Sequence, residues 1–334
     1  MSRRLLGTCL RPSEALPDSP ACCATGDDLR YIDTDEIFYK AAGRELALTG
    51  RFAAPELSGV LGVNPPAQDV WLLYPPLYPL LFGGVVKFFG FGWMQCVMYD
   101  ACIKVLLAAV TWGVVRRLSG NGARWLALCA GVSVLLMARG VIGRPDELAT
   151  AMGMAGLLPL VRPEPGTQLT FRKAAVSGLF FGLCAGTSAV AAIVLGCVAL
   201  VFFVARAGGI RRFVILGLVW GAVVVAAFAA LVVPILWNHP DAYRQYFGLA
   251  KVIFQSDTRS HWGKIAALVT VGWRVTVPVI GILALGTTTF LGAVRRGNSR
   301  NWATIWSGPL AGLAFILLVD PHLYTYVWFL GPYV

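Results

Sequence analysis

The chain has 334 residues, 57% hydrophobic and 13% charged, with a mean hydropathy of +0.69 and a formal net charge of +11. Soluble domains carry about 25% charged residues, so the composition excludes a soluble globular protein and predicts an all-α, polytopic transmembrane helix bundle. Nucleic acid is not an expected partner, because the arginines fall in short stretches between apolar runs. There they serve as topology signals and contacts for anionic membrane lipids.

Residues 1–30 show no organised pattern and are expected to be disordered. Met1-Ser2-Arg3-Arg4 is basic, but no apolar core follows it, so no secretory signal peptide is read. Residues 31–92 read as an outer-face loop. It opens on Asp33-Thr34-Asp35-Glu36-Ile37-Phe38-Tyr39, followed by the helix-compatible Ala41–Leu48. Asp33 or Asp35 suits an N-cap or first-turn acid. A carboxylate beside a low-dielectric surface also suits a general base. Further on, Pro75-Pro76 suits a helix start, and the apolar stretch 77–91 is short and holds Pro79, Gly83, Gly84 and Lys87. With Tyr74, Tyr78, Phe88, Phe89 and Phe91 it reads as a helix lying in the membrane interface; the alternative is a full span.

Residues 93–334 carry the bundle. Span-length apolar runs occur at 93–115, 125–142, 213–237, 275–294 and 302–319, with a shorter one at 147–161. The uncharged run 174–205 is too long for one span and short for two, with Gly186-Thr187-Ser188 available for a tight turn. Basic residues cluster at Arg116, Arg117 and Arg124; at Arg162, Arg172 and Lys173; at Arg206, Arg211 and Arg212; and at Arg295, Arg296 and Arg300. Two passes, 174–188 and 189–205, put all four clusters on one side, as the positive-inside rule asks. The result is about eight spans, with outer loops that include 139–147 and 238–274. The interfacial reading also leaves residues 1–74 outside with nothing upstream to export them. A preceding membrane helix is therefore expected to be missing, and the apolar run beginning at Tyr324 stops at Val334 as though cut.

Gly143-Arg144-Pro145-Asp146-Glu147 sits between two apolar runs. Pro145 fits the first helical position and the acids its first turn. They can be capping acids, or Asp146 can face the first acidic cluster across the outer rim, with Arg144 or Arg139 holding an anion. Asp100 and Lys104 have i,i+4 spacing and can pair within one helix. Five of the eight cysteines, Cys96, Cys102, Cys129, Cys184 and Cys197, lie in or beside apolar runs and behave as small hydrophobes. His239, His261 and His322 are an alternative metal site without the spacing of a zinc motif; no cofactor is expected, and a divalent metal stays open without being indicated.

The order of these parts resembles the GT-C class of integral membrane glycosyltransferases, in the protein O-mannosyltransferase and aminoarabinose transferase lineage. It runs from the acidic Asp35-Glu36 through the Gly50-Arg51-Phe52 turn to Tyr74-Pro75-Pro76-Leu77-Tyr78-Pro79-Leu80-Leu81. It continues through a span ending Val115-Arg116-Arg117-Leu118 to Arg144-Pro145-Asp146-Glu147. The resemblance covers residues 31–162 and becomes one of topology alone beyond Arg162. It implies a sugar donor on a polyprenyl phosphate and a lipid, glycan or protein acceptor hydroxyl. It implies Asp35 with Glu36 as the acid of the first outer loop, Asp146 as the acid of the second, and inversion at the anomeric carbon. The site would face outward from the plasma membrane. Some relatives carry a lysine before the Pro-Pro pair where this chain has Tyr74, so Arg144, Lys87 and His322 become the candidate donor-phosphate contacts. Tyr74, Tyr78 and Glu147 are the candidate substrate contacts. The alternatives are a polytopic transporter, which would also use intramembrane Asp100, Lys104 and Arg139, and a truncated, inactive transferase fragment.

Overall fold

A computed structural model describes residues 34–57, 66–119, 145–161 and 168–245. The chain divides into two units, Met1–Thr34 and Asp35–Val334, and the second is described here. Among the described residues all regular structure is helical, in agreement with the all-α expectation. Seven α-helices follow in order: α1 Thr34–Thr49, α2 Leu77–Phe89, α3 Trp93–Ser119, α4 Pro145–Leu157, α5 Phe171–Ala185, α6 Ala189–Arg206 and α7 Ile210–Asn238. The spans expected at 125–142, 275–294 and 302–319, and most of the loop 238–274, lie outside the described residues.

Local chemistry sets most of the helix ends. Pro145 opens α4, with Asp146 and Glu147 in its first turn, where acids meet the positive end of the helix dipole. Thr170 caps α5 by accepting from Lys173 N, and Ser188 caps α6 by accepting from Ala191 N. The run 174–205 is therefore broken at Gly186-Thr187-Ser188, as the charge pattern requires. Gly90, at φ 81°, closes α2 with its N–H on Val86 O at 2.8 Å. At 13 residues, α2 is about 20 Å long, shorter than a bilayer's hydrocarbon core.

Contacts along the helices fix their directions. Arg117, in the last turn of α3, donates to Leu158 O just past the end of α4, while Ile103 of α3 and Leu148 of α4 share one apolar cluster. Helices α3 and α4 are therefore parallel. Gly156 of α4 faces Ser177 O of α5, and Gly153 faces the Cys184 thiol, so α4 and α5 are antiparallel. Helix α6 returns beside α5, with Leu169 N donating to Arg206 O at 3.3 Å. Helix α7 runs parallel to α5 at very close approach: a Cβ on Gly182 would lie 2.7 Å from Val224 O. The main apolar cluster of the bundle is built on Met154, Leu157, Phe181, Leu195, Val198 and Phe203.

Three of the expected basic clusters have described members, and these share one end. Arg116 and Arg117 end α3, Arg172 and Lys173 open α5, Arg206 ends α6, and Arg211 and Arg212 open α7. Arg212 donates to Leu169 O at 2.9 Å and also to Gln168. The opposite end is covered by α1, α2 and the segment 66–76. Leu77 N, an orphan donor at the start of α2, bonds Gly186 O of the α5–α6 turn at 2.8 Å. Gln245 clamps the segment from the far side, accepting from Leu72 N at 2.6 Å and donating to Val70 O at 2.8 Å.

Two described helices, α3 over Trp93–Val114 and α7, are long and apolar enough to cross a membrane. Only 6% of the apolar window of α7 is buried by the rest of the chain. Leaving so much apolar surface against water would cost on the order of 25 cal/mol per Å².

Candidate functional site

Helix α1 is enclosed over Tyr39–Gly43, where five consecutive residues are buried. Enclosure on every side requires small residues or satisfied polar ones, and both occur. Ala41 and Ala42 pack on Ala54, Leu57 and Trp71. Gly43 meets the backbone of α2: a Cβ on it would lie 3.0 Å from Gly83 N and would overlap Pro79 O. The tyrosines form a chain of edge contacts, with ring centroids 4.7 Å apart for Tyr39–Tyr74, 6.3 Å for Tyr39–Tyr78 and 5.1 Å for Tyr78–Tyr99.

Within this aromatic shell lies a buried ion pair. Lys40 Nζ stands 2.7 Å from Asp100 Oδ2, and the two residues are 5% and 1% exposed. The other carboxylate oxygen of Asp100 accepts from Tyr78 OH at 3.0 Å, and Tyr99 OH donates to Tyr78 O at 2.8 Å. The ammonium lies 5.4 Å from the centroid of Phe82 and 6.0 Å from that of Tyr99, within reach of both ring quadrupoles. Removing two charges from water is expensive, and such a pair persists only when the remaining valences are used. Here the hydroxyl and the rings use them. The pair joins α1 to α3 and, through Tyr78, to α2.

Asp35 and Glu36 occupy the first turn of α1, as expected, and their side chains lie outside the described residues. They precede Tyr39 by about one turn. Asp146 is largely buried in the first turn of α4, its main-chain carbonyl accepting from Thr150 Oγ1 at 2.7 Å, and Glu147 beside it is half-buried. Leu148, next along α4, lies in the same apolar cluster as Tyr39, Leu77 and Tyr78. Tyr39, about one turn after Asp35-Glu36, and Leu148, two residues after Asp146, thus belong to one apolar cluster with the start of α2, at the end of the bundle away from the basic clusters.

The remaining candidates divide. Tyr74 is half-buried against Tyr39 at the edge of the cluster. Tyr78 is 0% exposed and its hydroxyl donates to Asp100. Lys87 is exposed in the last turn of α2, nine residues or about 14 Å along the helix from Tyr78, and is not brought to the start of α4. Arg144 and His322 lie outside the described residues. Among the described residues no group of three His, Cys, Asp or Glu is placed to hold a metal ion.

The close contact of Asp100 with Lys40 is a feature that sequence spacing does not expose. An i,i+4 reading points to Lys104, whereas the observed partner is 60 residues upstream. Comparison of the chain with protein-family models, curated proteins and solved structures gives no match.

Proposed function

We propose that the chain is a membrane glycosyltransferase that moves a sugar from a polyprenyl phosphate to an acceptor hydroxyl at the outer face of the plasma membrane. The reading takes the bundle as about eight spans with the basic clusters cytoplasmic. The observation that supports it is that Tyr39, one turn after Asp35-Glu36, and Leu148, just after Asp146-Glu147, belong to one apolar cluster at the end away from the basic clusters of α3, α5, α6 and α7. A lipid-borne sugar arrives in the plane of the membrane, and a site on the rim of a helix bundle can receive it.

In this scheme Asp35 takes the proton of the acceptor hydroxyl as the oxygen attacks the anomeric carbon. The bond from that carbon to the phosphate oxygen breaks, and the phosphate leaves on its lipid with both electrons. Attack from the opposite face inverts the configuration. Asp146 orients the sugar or acceptor, and Arg144 is the nearest basic residue in sequence to hold the departing phosphate. Glu36, Glu147 and Tyr74 line the approach.

The test incubates membranes carrying the chain with radiolabelled polyprenyl-phosphate mannose and polyprenyl-phosphate arabinose, and compares wild type with Asp35→Asn. Transfer by wild type and its loss in the variant support the reading. Solute flux into sealed vesicles without sugar transfer supports a transporter instead, and neither activity from a normally expressed chain supports an inactive fragment.

A further inference from the structure

We propose that Lys40 and Asp100, with Tyr78, are positioning residues that fix the axial register and rotation of the acid-bearing first turn of α1. Glu36 lies one helical turn before Lys40 and Asp35 one residue further. A shift of α1 at Lys40 is therefore transmitted directly to both.

The packing around α1 explains why such an anchor is needed. The side chains next to Lys40 on the C-terminal side are Ala41, Ala42 and Gly43, which are smooth and offer few steric stops. The crossing of Gly43 on Gly83 sets how close α1 and α2 come but has no side chain to define the rotation of α1. The ion pair supplies direction. Lys40 Nζ is 2.7 Å from Asp100 Oδ2, Tyr78 OH holds Oδ1 at 3.0 Å, and Tyr99 OH fixes the Tyr78 main chain at 2.8 Å. Asp100 stands in α3, which is tied to α4 by Arg117 on Leu158 O at one end and by the Ile103–Leu148 cluster at the other. The anchor thus refers α1 to the helix beside the one that carries Asp146. Buried ion pairs replaced by apolar groups of similar size are often neutral in stability, so retention of charge here is understood as geometric specification.

The inference rests on the transferase reading for its kinetic arm and is independent of it in its exchange arm. The full chain is reconstituted as wild type, as the double variant Lys40→Met/Asp100→Leu and as Lys40→Arg. Three quantities are measured: kcat and KM for the radiolabelled polyprenyl-phosphate sugar, the thermal unfolding midpoint, and amide exchange of peptides from α1. The double variant is expected to unfold near the wild-type midpoint and to keep KM within about twofold, with kcat lower by about tenfold or more, because misplacement of reacting groups lowers kcat without removing ground-state binding. Exchange over Tyr39–Gly43 is expected to rise by about tenfold, and Lys40→Arg to recover most of kcat. Wild-type kcat and wild-type α1 exchange in the double variant would overturn the proposal, as would a kcat loss matched by a general fall in the unfolding midpoint. Should the double variant fail to fold, Tyr78→Phe carries the test. A roughly threefold fall in kcat with faster α1 exchange supports the anchor, and no change in either refutes it. A wild-type chain that transfers no sugar sinks the transferase reading, while exchange in the variants still decides the anchor.

Discussion

Gly83 and Gly84 are neighbours inside α2 that face different surroundings, and together they give a matched test of the α1–α2 crossing. A Cβ on Gly83 would lie 2.7 Å from Gly43 O and 3.3 Å from Gly43 C, both backbone atoms of α1, whereas a Cβ on Gly84 would meet nothing within 4 Å. Restoring ordinary carbon–oxygen contact requires α1 to move by about 0.6 Å, and overpacking of this kind costs roughly 1–3 kcal/mol. Both alanine substitutions gain about 1 kcal/mol of helix propensity, which cancels between them. Gly84→Ala should therefore be neutral or slightly stabilising, and Gly83→Ala should fall below it by about 1–3 kcal/mol. The assay is thermal unfolding of the two variants in the same detergent, run beside amide exchange of α1. Gly83→Ala should melt earlier and release α1 first. Equal midpoints and equal α1 protection would show that the two helices do not cross at Gly43 and Gly83.

Other outcomes follow from the same geometry. Gln245→Ala removes both hydrogen bonds that hold Val70 and Leu72 and leaves those buried backbone groups without their side-chain partner, at about 1–3 kcal/mol each; amide exchange at Leu72 should rise well before the bundle opens. Single cysteines in place of exposed Gln68 and exposed Arg211, in a chain whose native cysteines are replaced, should react with an impermeant maleimide from opposite sides of sealed vesicles. Labelling of both from one side would contradict the assignment of the basic end to the cytoplasm.

The parts of the fold that sequence made legible are those decided within a few residues. Pro145 followed by two acids announces the start of α4. The break at Gly186 was legible because the arginines on either side could share a face only if the run folded back. The start of α2 was legible in Pro75-Pro76, and the helix stops at Gly90, short of the 77–91 stretch read from the sequence.

What escaped was long-range. Spacing along one helix suggested a partner for Asp100 in Lys104, because i,i+4 neighbours are the only pairs a linear pattern exposes. Nothing local marks Lys40 as the partner, nor Gln245 as the clamp on Leu72, 173 residues away. Likewise nothing local marks the Tyr78 hydroxyl as a donor to the Asp100 carboxylate. The two acidic helix starts were legible, and the apolar cluster to which Tyr39 and Leu148 belong was not.

The central claim is that Asp35 and Asp146 act as one unit on a lipid-borne sugar. It is tested most directly by transfer kinetics of wild type, Asp35→Asn, Asp146→Asn and the double variant with radiolabelled polyprenyl-phosphate sugar. Residues that work as a unit are strongly non-additive, so each single variant should lose about 100-fold or more in kcat and the double variant little beyond the worse single. Full transfer by Asp35→Asn, or losses that multiply independently in the double variant, would contradict the account.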